Sequence, residues 1–222
     1  MVADAAGANI DVHIHALGER AVDEALNAVE AARDAHAGSS SRYTLCHLQV
    51  IRDEDLQRFA ELEVIAQSTP LWAAYDVYGK QFVSADQFSR YWRFKSLEEL
   101  GVRLTWGSDF PSSGAGMAGM SPLLQMEIGH TRQNAGQADA PVQPRKSERL
   151  ELEALIRGYT IDAAYQLHME DELGSLAAGK KADLVVLDAN LFETDPHAIH
   201  RVGIVMTLMN GDVVYQREMS RN

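Results

Sequence analysis

One feature narrows the possible folds more than any other: short strand-like runs alternate with helix-like stretches through most of the chain. Ile10–His15 alternates apolar and polar residues, as a strand with one buried face does. Val22, Leu26, Val29 and Ala32 then recur at helical spacing within 20–36. Tyr43–Val50 is a second strand, followed by a short helix over 52–61 with Leu56, Phe59 and Ala60 inward. Val64–Gln67 is a third strand, and 71–89 is irregular and aromatic, with Trp72, Tyr75, Tyr78 and Phe82. A helix is predicted over 91–100, closed by Gly101, and Val102–Trp106 is a fourth strand running into Gly107-Ser-Asp-Phe-Pro111. Helices are predicted over 123–134 and, as one long element, over 148–166. Such alternation implies parallel strands with helices packed outside them.

A whole (β/α)8 barrel has eight such units in typically about 250 residues. Four rounds within a chain of 222 residues amount to half of one. After residue 168 the texture changes: a turn and a strand over 173–188, then Val202–Met209 and Asp212–Gln216 joined by Asn210-Gly211, the strongest short hairpin signal. The expected division is therefore 1–168 and 169–222. The formal net charge of −12 repels phosphate backbones and argues against nucleic acid as a partner. A single cysteine, Cys46, forms no internal disulfide. The first residues lack a basic segment followed by an apolar run, and no window reaches the roughly 20 apolar residues that span a bilayer. The expectation is a soluble, cytoplasmic protein without membrane contact.

Strand ends carry the candidate chemistry. His15 closes the first strand, His47 lies late in the second and Asp109 follows the fourth. In a parallel barrel these ends share one face, where active sites sit. Two imidazoles and a carboxylate there suit a divalent metal, which lowers the pKa of bound water to about 7. Position alone leaves alternatives open. His13 shares a strand face with His15 and competes for the ligand role, and Asp109 equally suits a helix cap or an Asx turn.

The strings around these residues add a resemblance. His15-Ala-Leu-Gly-Glu-Arg-Ala, Cys46-His47-Leu-Gln, Gly107-Ser-Asp109-Phe-Pro111, Ser121-Pro-Leu-Leu with Thr131-Arg132, Tyr159-Thr-Ile-Asp-Ala-Ala164, Gly174-Ser-Leu-Ala-Ala-Gly-Lys-Lys-Ala-Asp183 and Met206-Thr-Leu-Met-Asn-Gly211 occur in order. Together they resemble the C-terminal portion of the amidohydrolase superfamily, in the YtcJ-like and N-substituted-formamide-deformylase-like branch (amidohydrolase family 3). The resemblance implies an α/β fold comprising strands five to eight of a TIM barrel, then part of a small β-sandwich. It implies a metal-dependent hydrolase of non-peptide carbon–nitrogen bonds, amide or formamide, acting through metal-activated water on a small-molecule amide. It favours His15 over His13 as ligand, with His47 and Asp109, around a divalent metal such as zinc. Asp109 doubles as the proton shuttle, and Arg132 and Trp72 shape substrate binding. Two positions depart from the branch: Glu19 stands where Asp is usual, and Cys46 where Glu is usual. The family's first-strand His-x-His and bridging carboxylate belong upstream of the fifth strand, so the expected metal site is incomplete and the chain reads as truncated. Open strand edges predict a homodimer or larger assembly. The alternative is an inactive, oligomerising scaffold.

Overall fold

The computed structural model describes residues 1–112 and 114–218. Helix α1 (Val2–Gly7) leads into strand β1 (Val12–Ala16), and α2 (Glu19–Ala35) follows. Next come β2 (Tyr43–His47), α3 (Asp53–Glu61) and β3 (Ile65–Ser68). After an aromatic connection, α4 (Ala85–Ser89) and α5 (Phe94–Glu99) precede β4 (Leu104–Trp106). Helices α6 (Pro122–Thr131), α7 (Leu152–Tyr159) and α8 (Ile161–Gln166) follow, then β5 (Leu184–Leu187), β6 (Ile204–Met209) and β7 (Asp212–Gln216). The first four strands form one parallel sheet in the order β1-β2-β3-β4, and the last three form an antiparallel sheet in the order β5-β6-β7. The α/β expectation and the parallel sheet are both present.

Alternation sorts the parallel strands into two faces. Ile14, Leu45, Ala66 and Leu104 lie on one, with Val22, Leu26 and Val29 of α2 and Phe59 of α3 completing the apolar core. His13, His15, Thr44, Cys46, Gln67 and Thr105 lie on the other. Strands β2 to β4 are mostly buried, whereas His13 and His15 on the edge strand β1 are exposed. Beneath the sheet, the Tyr165 ring of α8 lies between the guanidinium groups of Arg42 and Arg103, 3.7 and 3.9 Å from its centroid. Those arginines immediately precede β2 and β4, so one ring joins the bases of two strands with β3 between them.

Two helical expectations are corrected. The helix predicted from residue 91 begins at Phe94. Tyr91 forms an isolated bridge with Val50, the Trp92 amide donates to the Gln49 carbonyl, and Trp92 has φ 59°, so these residues pair with a strand extension instead of turning. The long helix predicted over 148–166 breaks at Thr160, with φ −125° and ψ −96°. Helix α7 packs on β4 through Gly158, where the Trp106 indole leaves no room for a Cβ, and after the break α8 passes under the strands. In the second sheet, the Asn210-Gly211 turn adopts the left-handed backbone its sequence calls for, with φ 51° and 88°. The segment between β5 and β6 returns to the main core. Leu191 and Ile199 are buried there, and His200 donates its amide and its ring Nδ1 to the buried Glu127 of α6, at 2.9 and 2.6 Å.

Candidate metal centre and its cavity

Parallel pairing brings the first two candidate residues together. His15 is in register with Cys46, and the imidazole rings of His15 and His47 meet edge to face with centroids 4.2 Å apart. His47 ends β2 with φ 74°, and Leu48 follows with φ 58°. Two consecutive non-glycine residues in the left-handed region are uncommon, and such backbone is retained where surrounding contacts fix it. Here Ser68 Oγ of β3 donates to the His47 carbonyl at 2.7 Å, and the Leu48 amide donates to the Ala16 carbonyl at 3.0 Å. Strict alternation would send the His47 ring to the helix side with Leu45; the left-handed backbone lets it meet His15.

Burial, with the neighbouring His15, holds His47 below the ordinary histidine value of 6.5, while Asp109 opposes them. The ring is neutral at neutral pH, and a neutral nitrogen is what a metal ligand requires. Burial pushes the Cys46 thiol up, and the Asp109 charge pushes the same way. Asp109 follows β4 with φ 49°, in a segment that ends in a cis Phe110–Pro111 bond. Its charge is felt at both His47 and Cys46. Among the described residues, however, no three His, Cys, Asp or Glu side chains converge as a metal-holding group. The two histidine rings are in contact, and Asp109 stands near them without completing a set of three donors.

Beside His47 lies a cavity of about 370 Å³, lined by Leu17, His47, Gln49, Trp72, Tyr75 and Trp92 among others. Trp72, from the 3-10 turn Pro70–Ala73, stacks on His47 at 5.4 Å. Trp92 stands 5.8 Å beyond it. The aromatic stretch read from the sequence included Trp72 but not Trp92, whose position depends on contacts remote in the chain. Arg132 is placed elsewhere than expected. It is fully buried, caps α6 with φ 57°, and donates to the carbonyls of Tyr91, Trp92, Gln143 and Pro144 at 2.7–3.2 Å. Its guanidinium fixes the wall behind the cavity and presents nothing to a ligand.

A family model described as the amidohydrolase family matches residues 1–215. The chain belongs to the amidohydrolase family. It is 28% identical over 210 residues to YtcJ of Bacillus subtilis, covering 94% of this chain and 38% of that protein. It is 26% identical over 210 residues to the N-substituted formamide deformylase of Arthrobacter pascens, covering 94% of this chain and 37% of that one. Among solved structures, an uncharacterized metal-dependent hydrolase from Pyrococcus furiosus superimposes with a TM-score of 0.59 at 25% identity, over 78% of this chain and 32% of that one. The chain thus spans about two fifths of the length of these curated relatives.

Proposed function

We propose that this chain carries part of the catalytic centre of a metal-dependent hydrolase of non-peptide carbon–nitrogen bonds, with small amides or formamides as substrates. The observation that carries the reading is the His15–His47 ring contact at 4.2 Å, formed at the C-terminal ends of adjacent parallel strands. Within this reading, β1 to β4 correspond to the last four strands of a (β/α)8 barrel, and β5 to β7 to part of a small sandwich. His15 and His47 would hold a divalent cation, zinc being an ion suited to imidazole and carboxylate donors. That ion, when bound, supplies a water acidified to a pKa of about 7. Asp109 accepts a proton from water and returns it to the leaving nitrogen. Trp72 forms the wall against which the substrate lies, stacked on His47.

The test is metal content. The purified chain, dialysed against zinc, should retain the ion by elemental analysis. His47→Ala should weaken zinc affinity at least about tenfold, given what outer partners alone cost a metal site, and lower the amount retained accordingly. Unchanged stoichiometry in that variant would remove His47 from the site. Hydrolysis of N-formyl and N-acyl amines by the zinc-loaded chain, abolished in Asp109→Asn, is the matching activity assay.

A further inference from the structure

We propose that the cavity beside His47 binds a flat aromatic ring of the substrate, and that Trp92 is the residue that selects for flatness. The word substrate rests on the hydrolase reading above; the binding itself requires no metal. The cavity, at about 370 Å³, is within the range of small-molecule sites and large enough for one substituted ring. Its aromatic lining is ordered: His47 and Trp72 are 29° from parallel, and Trp72 and Trp92 are 34° from parallel. The three rings follow one another along one side of the cavity with Trp72 between the other two, so a guest meets ring edges and the parts of the faces that the stack leaves uncovered. Leu17, Leu71 and Ala74 add apolar surface, and Gln49 and Asp76 provide polar groups for an amide. Asp76 already accepts the Tyr78 and Gly79 amides through Oδ1 at 3.1 and 2.7 Å, which fixes its carboxylate. Lys80, bonded to the Tyr75 hydroxyl at 3.0 Å, places a positive charge beside the lining that offsets the negative charge of Asp76, so the site favours a neutral guest.

Trp92 is the most buried of the lining side chains, at 3% exposure, so it forms the floor. Its left-handed backbone is held from both sides, by its own amide on the Gln49 carbonyl at 3.1 Å and by Arg132 Nη1 on its carbonyl at 3.0 Å. These contacts fix the main chain from which the indole projects, and burial among Trp72, Tyr91 and Phe94 restricts the ring itself. A flat ring meets such walls in offset or edge-to-face contact, which aromatic pairs favour beyond simple area burial. Arg132 acts here as a positioning residue, through Trp92.

The chain has three tryptophans, Trp72, Trp92 and Trp106, giving three indole N–H signals in a nitrogen-15 correlation spectrum. Trp106 packs against Gly158 and Phe94, away from the cavity, and serves as the internal control. Chelator-treated, labelled protein is titrated with benzamide and with its saturated counterpart, cyclohexanecarboxamide. The Trp72 and Trp92 signals should move while Trp106 stays, with benzamide binding about three- to tenfold tighter. Trp92→Leu should erase that preference. Trp72→Leu, at a half-buried position, carries the same expectation and decides the matter if the first variant does not fold. Equal affinities, shifts at Trp106 alone, a preference that survives both variants, or tighter binding of benzylamine than of benzamide would each overturn the proposal. A chain that shows the ring preference but retains no zinc defeats the hydrolase reading and leaves this one standing; zinc retention without the preference does the reverse.

Discussion

At the scale of single residues, a few side chains set the geometry of the site without touching it. Arg132 is the clearest. Burial brings its pKa down to about 10, so it remains protonated at neutral pH, and its charge is satisfied by four main-chain carbonyls. Replacing it with methionine keeps the volume and leaves those carbonyls without donors. The expected loss is at least about 3 kcal/mol, because hydrogen bonds to a charged group contribute about 1.5–3 kcal/mol each and buried orphaned acceptors are costly. Chemical denaturation measures it; a loss below about 1 kcal/mol would show that the carbonyls find water or other partners. None of this was legible in the sequence. Arg132 lies 40 and 41 positions from two of its acceptors, and no local pattern announces such a contact. His15 and His47 were legible as residues near strand ends, but the choice of His15 over His13 rested on the family resemblance. The left-handed backbone that turns His47 toward His15 was not legible, since the enrichment of histidine at positive φ is too weak to single out one position.

At the scale of elements, strands and the main helices followed from periodicity, and the errors fell where a non-local demand overrode it. Tyr91 and Trp92 look helical by composition but serve a bridge to Val50 and Gln49. Thr160 sits inside an uninterrupted helical pattern and breaks it because α7 must stay on β4 while α8 goes beneath the sheet. Ion pairs then tie elements to one another. Glu19 of α2 is bonded by Gln87 and Arg90 at the end of α4, and Glu170 by Arg42 at the foot of β2. The hydrogen bond from Gln87 and then the Arg90 contact hold Glu19 below its usual 4.5, and Arg42 does the same for Glu170. Carboxylates whose folded value is depressed contribute stability above their unfolded value and lose it as pH falls through the folded one. The denaturation midpoint should therefore begin to fall below about pH 6.5, where unfolding frees the depressed His47 to take up a proton, and drop further below about pH 4.5 as the carboxylates protonate. Glu19→Gln should flatten part of that drop; an unchanged acid profile would assign the pH dependence to other groups.

At the scale of the whole molecule, the parallel sheet is unevenly covered. Strand β1 lies at its edge, exposes His13 and His15, and flanks a groove of about 620 Å³ lined largely by apolar residues of α1, β1 and α2. The outer sheet is similarly uncovered: Val185, Val186, Val213, Val214 and Tyr215 are all exposed. Unpaired strand edges and contiguous apolar surface promote association. The 222-residue chain is accordingly expected to run as a dimer or larger species in light scattering coupled to size exclusion. His13→Lys, placing a charge on the open edge, should shift it toward monomer. A wild-type monomer at the highest soluble concentration would refute this. No helix among the described residues is long and apolar enough to cross a membrane.

The Tyr165 ring between Arg42 and Arg103 has a mechanical consequence. It acts as a tie across the foot of an arch, setting the spacing of β2 and β4 at their bases while β3 rides between them. The ring adds to the backbone ladders that already hold these strands together, at the end of the sheet away from the His15–His47 contact, so a change at Tyr165 is expected to lower stability and leave the geometry of the site alone.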